Sequence, residues 1–177
     1  VTKTVSLLDV NDAPSLVGGE DSAELTEASS GAVQTSVAMS TFGVISDPEA
    51  DSVSQIKVKI SSGYRLGQDR LEYSGPASIN TGTSSVQIKN EFDASIGQIT
   101  LNFTPNLDLS SLTSNILENI TYTNTSEDPN VADRKITISV TDQGGASSIS
   151  SVKTIKVSAT NDAPNLFSRA LDAEVTS

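Results

Sequence analysis

"QIKVKI" at residues 55–60 places Ile56, Val58 and Ile60 on one side of an extended chain and Lys57 and Lys59 on the other. Alternation with a period of two is the signature of a strand with one buried and one wet face. "QITLNF" at 98–103 repeats the pattern with Ile99, Leu101 and Phe103, and "KITISV" at 135–140 repeats it with Ile136, Ile138 and Val140. Shorter strand candidates lie at 22–27, 33–38, 70–74, 85–89, 120–124 and 152–158. Turn formers separate them, among them Ser61-Ser62-Gly63, Asn80-Thr81-Gly82 and Gln143-Gly144-Gly145. Together they predict an all-β chain folded as an antiparallel sandwich.

One stretch departs from this period. "LDLSSLTSNILENI" at 107–120 sets Leu109, Leu112, Ile116, Leu117 and Ile120 at helical spacing, with Asp108 or Ser110 placed to cap. A short helix near 108–119 is predicted, its apolar stripe closing one end of the core.

The chain has 177 residues, room for one domain with a sizeable core. Its aromatic content is four Phe and three Tyr, so the core rests on Val, Ile and Leu. Eleven Lys and Arg against 22 Asp and Glu give a formal charge of −11, which argues against nucleic acid and anionic membranes as partners, since both need a basic face. With neither Cys nor His, disulfides, thiolate or imidazole metal sites and histidine-based catalysis are excluded. Any site must be built from oxygen ligands. No run has the length of a membrane span.

"DVNDAP" at 9–14 returns as "ATNDAP" at 159–164, with Asn11 and Asn161 150 positions apart. The offset persists in "KTVSL" at 3–7 against "KTIKV" at 153–157, and in "AELTE" at 23–27 against "AEVTS" at 173–177. Residues 15–164 therefore read as one complete repeat ending in its own linker. Residues 1–14 read as the last strand of a preceding repeat plus its linker, and 165–177 as the first segment of the next.

Carboxylates crowd "SDPEAD" at 46–51, where Asp47, Glu49 and Asp51 alternate between two strands. Such a cluster either satisfies the backbone of a turn or holds a hard cation that offsets its repulsion. Calcium takes six to eight oxygens, so further ligands would have to converge from Asp9, Asn11, Asp12 and Asp142. "SEDPNVADR" at 126–134 reads instead as a turn with Arg134 in a local ion pair among Glu127, Asp128 and Asp133.

"DVNDAP" resembles the linker of cadherin repeats, and "ITISVTDQGGASSISSVKTIKVSATNDAP" at 136–164 resembles their final hairpin running into the next linker. "FDASIGQITL" at 92–101 and "SDPEAD" fall in the matching order, and "ITYTNTSEDPNVADRKITISVTD" at 120–142 is similar to the cadherin-like tandem repeats of large, type I secreted bacterial surface adhesins. The resemblance covers most of 92–164, and 60–91 follows it loosely. It implies a Greek-key, cadherin/Ig-like sandwich with Ca2+ at the junctions between repeats. Asp9, Asn11, Asp12, Asp47, Glu49, Asp51 and Asp142 would serve the N-terminal junction, and Glu27, Asn161 and Asp162 a weaker C-terminal one, where Ala159 replaces the leading linker Asp.

The function implied is that of a calcium-stiffened extender on the extracellular face of a bacterial cell, taking part in cell adhesion and biofilm attachment. Its partners would be the neighbouring repeats of the same chain. The alternative is a binding module for surface glycans or homophilic contact, with Tyr64 and Tyr73 in "SGYRLGQDRLEYSG" at 62–75 as the candidate residues. No enzyme is expected: no Gly-x-Ser-x-Gly elbow is present, and the chain is short for a glycosidase with its own cleft.

Overall fold

The computed structural model describes residues 10–17, 21–39, 44–112 and 114–162. The flanks 1–8 and 165–177, read above as pieces of neighbouring repeats, lie outside the described residues, as does Asp9. The described strands are β1 (Ser15–Val17), β2 (Asp21–Thr26), β3 (Val37–Ala38), β4 (Val44–Ser46), β5 (Val53–Ser62) and β6 (Asp69–Tyr73). They continue with β7 (Ser78–Asn80), β8 (Ser85–Asp93), β9 (Gln98–Leu107), β10 (Ile120–Asn124), β11 (Arg134–Asp142) and β12 (Ser151–Ser158).

A seven-stranded sheet runs β2-β12-β11-β5-β9-β8-β7, a three-stranded sheet runs β3-β10-β6, and β1 pairs with β4. The chain crosses between the two larger sheets from β5 to β6, and again from β9 to β10 and from β10 to β11, giving an all-β Greek-key sandwich. Ile56, Val58, Ile60, Leu101, Ile136, Ile138 and Val140 from the larger sheet meet Leu71, Tyr73, Ile120 and Tyr122 from the smaller in one core. Each fully buried aliphatic contributes roughly 1.5–3 kcal/mol, so these alternating strands carry the fold.

The all-β sandwich with one short helix is as expected, and three of its details differ. The strand read at 33–38 shrinks to Val37–Ala38, because Gln34 spends its side chain on Ala28 N–H, the Thr26 carbonyl and the Thr35 carbonyl, and Val33 faces solvent. The short helix expected within 108–119 is Ser114–Glu118, preceded by a 3-10 turn, Leu109–Ser111. Asp108 stands at the first N-cap without a capping hydrogen bond, its carboxylate accepting from Ser52 Oγ at 2.9 Å instead. Ile116 and Leu117 are nonetheless buried, as expected of the lid. Finally, the pairing is not wholly antiparallel, since β12 pairs with β2 in parallel.

Arg134 also departs from expectation. Its side chain points inward with Ile136 and Ile138, fully buried, and pairs with buried Asp69 at 3.2 Å. Tyr122 Oη donates to Asp69 Oδ1 at 2.7 Å, Asn124 Nδ2 donates to the same oxygen at 2.6 Å, and Arg65 N–H donates to Oδ2 at 2.7 Å. The guanidinium also donates to the carbonyls of Asn130 and Ala132. The 126–134 loop is thus anchored to a carboxylate 65 positions away.

Candidate functional site

Four strand ends converge where the acidic residues collect. Antiparallel pairing of β1 with β4 sets Ser15 opposite Ser46, so the linker "NDAP" before β1 runs beside the "SDPEAD" loop after β4. Pairing of β11 with β5 sets Asp142 opposite Val53, bringing the end of β11 to the end of that loop. Ser54 Oγ donates to the carbonyls of Thr141 and Asp142 and seals the bulge there.

Asp47 Oδ1 accepts from the N–H groups of Glu49 and Asp51 at 3.0 and 3.1 Å, closing the loop on itself. Ala50 takes a positive φ of 57° inside it. Asp51 Oδ1 accepts from Gln143 Nε2 at 2.8 Å, which ties the loop to the β11–β12 turn. Asp142, 1% exposed, accepts from Ala146 N–H through Oδ1 and from Asn11 Nδ2 through Oδ2 at 3.0 Å. Asp12 N–H donates to Glu49 Oε2 at 3.2 Å. The linker therefore rests on Gly144, where a Cβ would overlap the Asn11 carboxamide. Gln143 and Gly144 take part in the site although the sequence marked them only as turn formers.

Asn11, Asp12, Asp47, Glu49, Asp51 and Asp142 are thus brought into one hydrogen-bonded cluster. Among the described residues, however, no group of three or more acidic side chains stands close enough to hold a metal ion. Like charges separate, and the carboxylates of Asp47, Glu49, Asp51 and Asp142 take backbone or amide donors. Asp47 Oδ2 differs: it is buried and accepts no hydrogen bond. A buried carboxylate oxygen without a donor is costly, and a hard cation is a partner suited to an all-oxygen donor set. In this cluster Asp47 Oδ2 is therefore the oxygen that a hard cation suits, although the surrounding carboxylates stand too far apart to complete its shell.

At the opposite end Glu27 follows β2 and is 6% exposed. Its Oε2 accepts from Thr160 N–H at 2.8 Å, its carbonyl accepts from Thr160 Oγ1, and its Oε1 is buried with no hydrogen-bond partner. Asp162 Oδ1 accepts from Ser30 N–H at 2.7 Å, while Asn161 is exposed. Glu27 and Asp162 both hold the 27–30 segment against the second linker, and Asn161 makes no hydrogen bond to either.

Tyr73 lines a cavity in which Tyr64 takes no part. Tyr64 lies over Gly97 and donates to the Ala94 carbonyl, and its phenol is pushed up by burial and by Asp69 and Asp93. Tyr73 is buried, pushed up by desolvation, and lines a cavity of about 440 Å³ with Pro76, Ile79, Asn80 and Ile116.

The sequence matches no protein-family model, and no curated protein matches it. Among the described residues no helix is long and apolar enough to cross a membrane.

Proposed function

We propose that the chain is a calcium-binding extender repeat of a bacterial cell-surface adhesin, a rod segment that carries adhesive parts away from the cell and performs no catalysis. The observation that carries this reading is the unpartnered Asp47 Oδ2 in the loop cluster that also gathers the linker residues Asn11 and Asp12. Calcium there would take oxygens from Asp47, Asp142 and Asp12, with Glu49, Asp51, Asn11 and Asp9 as further donors. It would supply the positive charge that offsets carboxylate repulsion and fixes the linker against the domain. Glu27, Asp162 and Asn161 form the lesser site for the next junction. Stacked repeats touching mainly their neighbours make a rod, and Pro14 already narrows the linker's conformations.

Thermal unfolding in calcium and in EDTA tests the reading. At calcium a hundredfold above its dissociation constant, linkage adds about 2.7 kcal/mol, several degrees in Tm for a chain of this size. Superimposable curves in calcium and EDTA would overturn it.

A further inference from the structure

The net charge of −11 conceals a local reversal. The outward positions of the seven-stranded sheet include Lys57 and Lys59 on β5, Lys89 on β8, Lys135 on β11 and Lys156 on β12, all exposed. The acidic residues on the same face are Glu24 at the β2 edge and Glu91 and Asp93 on β8. At its centre, strand register places only uncharged polar neighbours beside the lysines. Lys57 lies between Ser139 and Thr100, Lys59 between Thr137 and Gln98, and Lys135 between Thr154 and Ser62. Among the described residues the ion pairs are Arg70–Glu72, Lys89–Glu91 and Arg134–Asp69, and the three central lysines take part in none.

Protection of a sheet edge does not account for them, because β5 and β11 are interior strands. Solubility does not either, since the rest of the chain is strongly acidic. Lys57 and Lys59 lie about 7 Å apart along β5, and Lys135 stands diagonally across from Lys59, so their ammonium groups repel one another. An anion laid across them removes that repulsion. Beside Lys57 runs a shallow groove of about 640 Å³ lined by Gln55, Gln98, Thr100 and Asn102 together with Glu91 and Asp93, with Gln55 Nε2 donating to Asn102 Oδ1 at 2.7 Å.

We infer that this face docks an acidic polysaccharide, its carboxylate or sulfate groups on Lys57, Lys59 and Lys135 and its hydroxyls on the interleaved Thr, Ser, Gln and Asn side chains. A protein partner is disfavoured because the centre of the face lacks the aromatic and apolar anchors of a protein interface, and lysine is depleted there. Nucleic acid is disfavoured because the face offers neither arginine nor an exposed aromatic for stacking.

The test measures binding of the chain to immobilised chondroitin sulfate, neutral dextran and poly-L-glutamate, in EDTA so that no divalent cation bridges the polyanion. Chondroitin sulfate is expected to bind, dextran not at all, and poly-L-glutamate far more weakly. Lys57→Gln/Lys59→Gln/Lys135→Gln should weaken binding by about tenfold or more with Tm unchanged, because all three side chains are exposed. Arg65→Gln/Arg70→Gln, which removes exposed cations from elsewhere, should leave binding as it was. Absence of chondroitin sulfate binding would overturn the inference, as would equal binding of poly-L-glutamate, equal binding by the triple variant, or equal loss in the arginine control.

Discussion

Tyr122 in the aliphatic core and Asp47 in the acidic loop show how single polar atoms are spent. The Tyr122 hydroxyl, in phase with Ile120 on β10, is fully buried and donates to Asp69. Burial first, and then the hydrogen bond and charge of Asp69, push its phenol above the ordinary value near 10. The folded state therefore holds the proton where the unfolded chain has released it. That stability is fully present below about pH 10 and is lost as pH rises through the folded value. Tyr122→Phe should cost about 1–3 kcal/mol at neutral pH and flatten the alkaline fall of the urea midpoint, leaving a residual slope from Tyr64 and Tyr73, which are also raised. An unchanged slope would show that the phenol titrates as freely folded as unfolded. Asp69 and Arg134 continue the inward phase of Leu71 and Tyr73 and of Ile136, but each stands one residue before the strand expected at 70–74 or 135–140, so neither was foreseen as a core residue. What the sequence could not convey is that these two residues answer each other, because a pair formed across the core leaves no local spacing to read. The orphaned oxygen of Asp47 was equally invisible: "SDPEAD" displays its carboxylates, but which oxygen the backbone satisfies depends on the folded turn.

Elements with strict alternation were readable because one face of each is buried, and a slip by one residue would expose the whole apolar set. β5, β9 and β11 belong to this class. β1, β4 and β7 do not: with three residues each, they have no period to detect, and neighbouring strands hold them in place. The first two are the elements that set the linker beside the acidic loop, so the site could be listed residue by residue while its assembly stayed hidden. The helix is shorter than its stripe suggested. Its stripe was present, but five residues make a single α turn whose stability comes from Ile116 and Leu117 in the core. At this scale the buried Arg134–Asp69 pair anchors the 126–134 loop to β6. Arg134→Met should destabilise the domain by about 3–5 kcal/mol, since it leaves Asp69 charged in the core with two side-chain donors in place of three. A loss under about 1 kcal/mol in urea unfolding would mean that the pair behaves as a surface ion pair.

As a whole molecule the chain is a sandwich with an acidic cluster at the first linker, a smaller one at the second and a sheet face whose centre carries Lys57, Lys59 and Lys135 among uncharged polar residues. The three are independent in their chemistry: the clusters answer a cation, the face an anion. On the proposed reading as a repeat of a rod, the chain transmits stiffness only if its linkers are fixed. Hydrogen bonds from Asn11 to Asp142 and from Asp12 to Glu49 hold the first linker weakly, since its residues are exposed. On the calcium proposal the ion replaces that loose attachment with bonds to several carboxylates at once, and the rod stiffens at its joints. The most direct test is a calorimetric calcium titration of a chain carrying two whole repeats, alongside the same chain with Asp47→Asn at the junction, which keeps Oδ1 for the Glu49 and Asp51 N–H groups. Saturable calcium binding in the parent and its loss or strong weakening in the Asp47→Asn chain is the result predicted. No binding heat in the parent, or an identical isotherm in both chains, would contradict it.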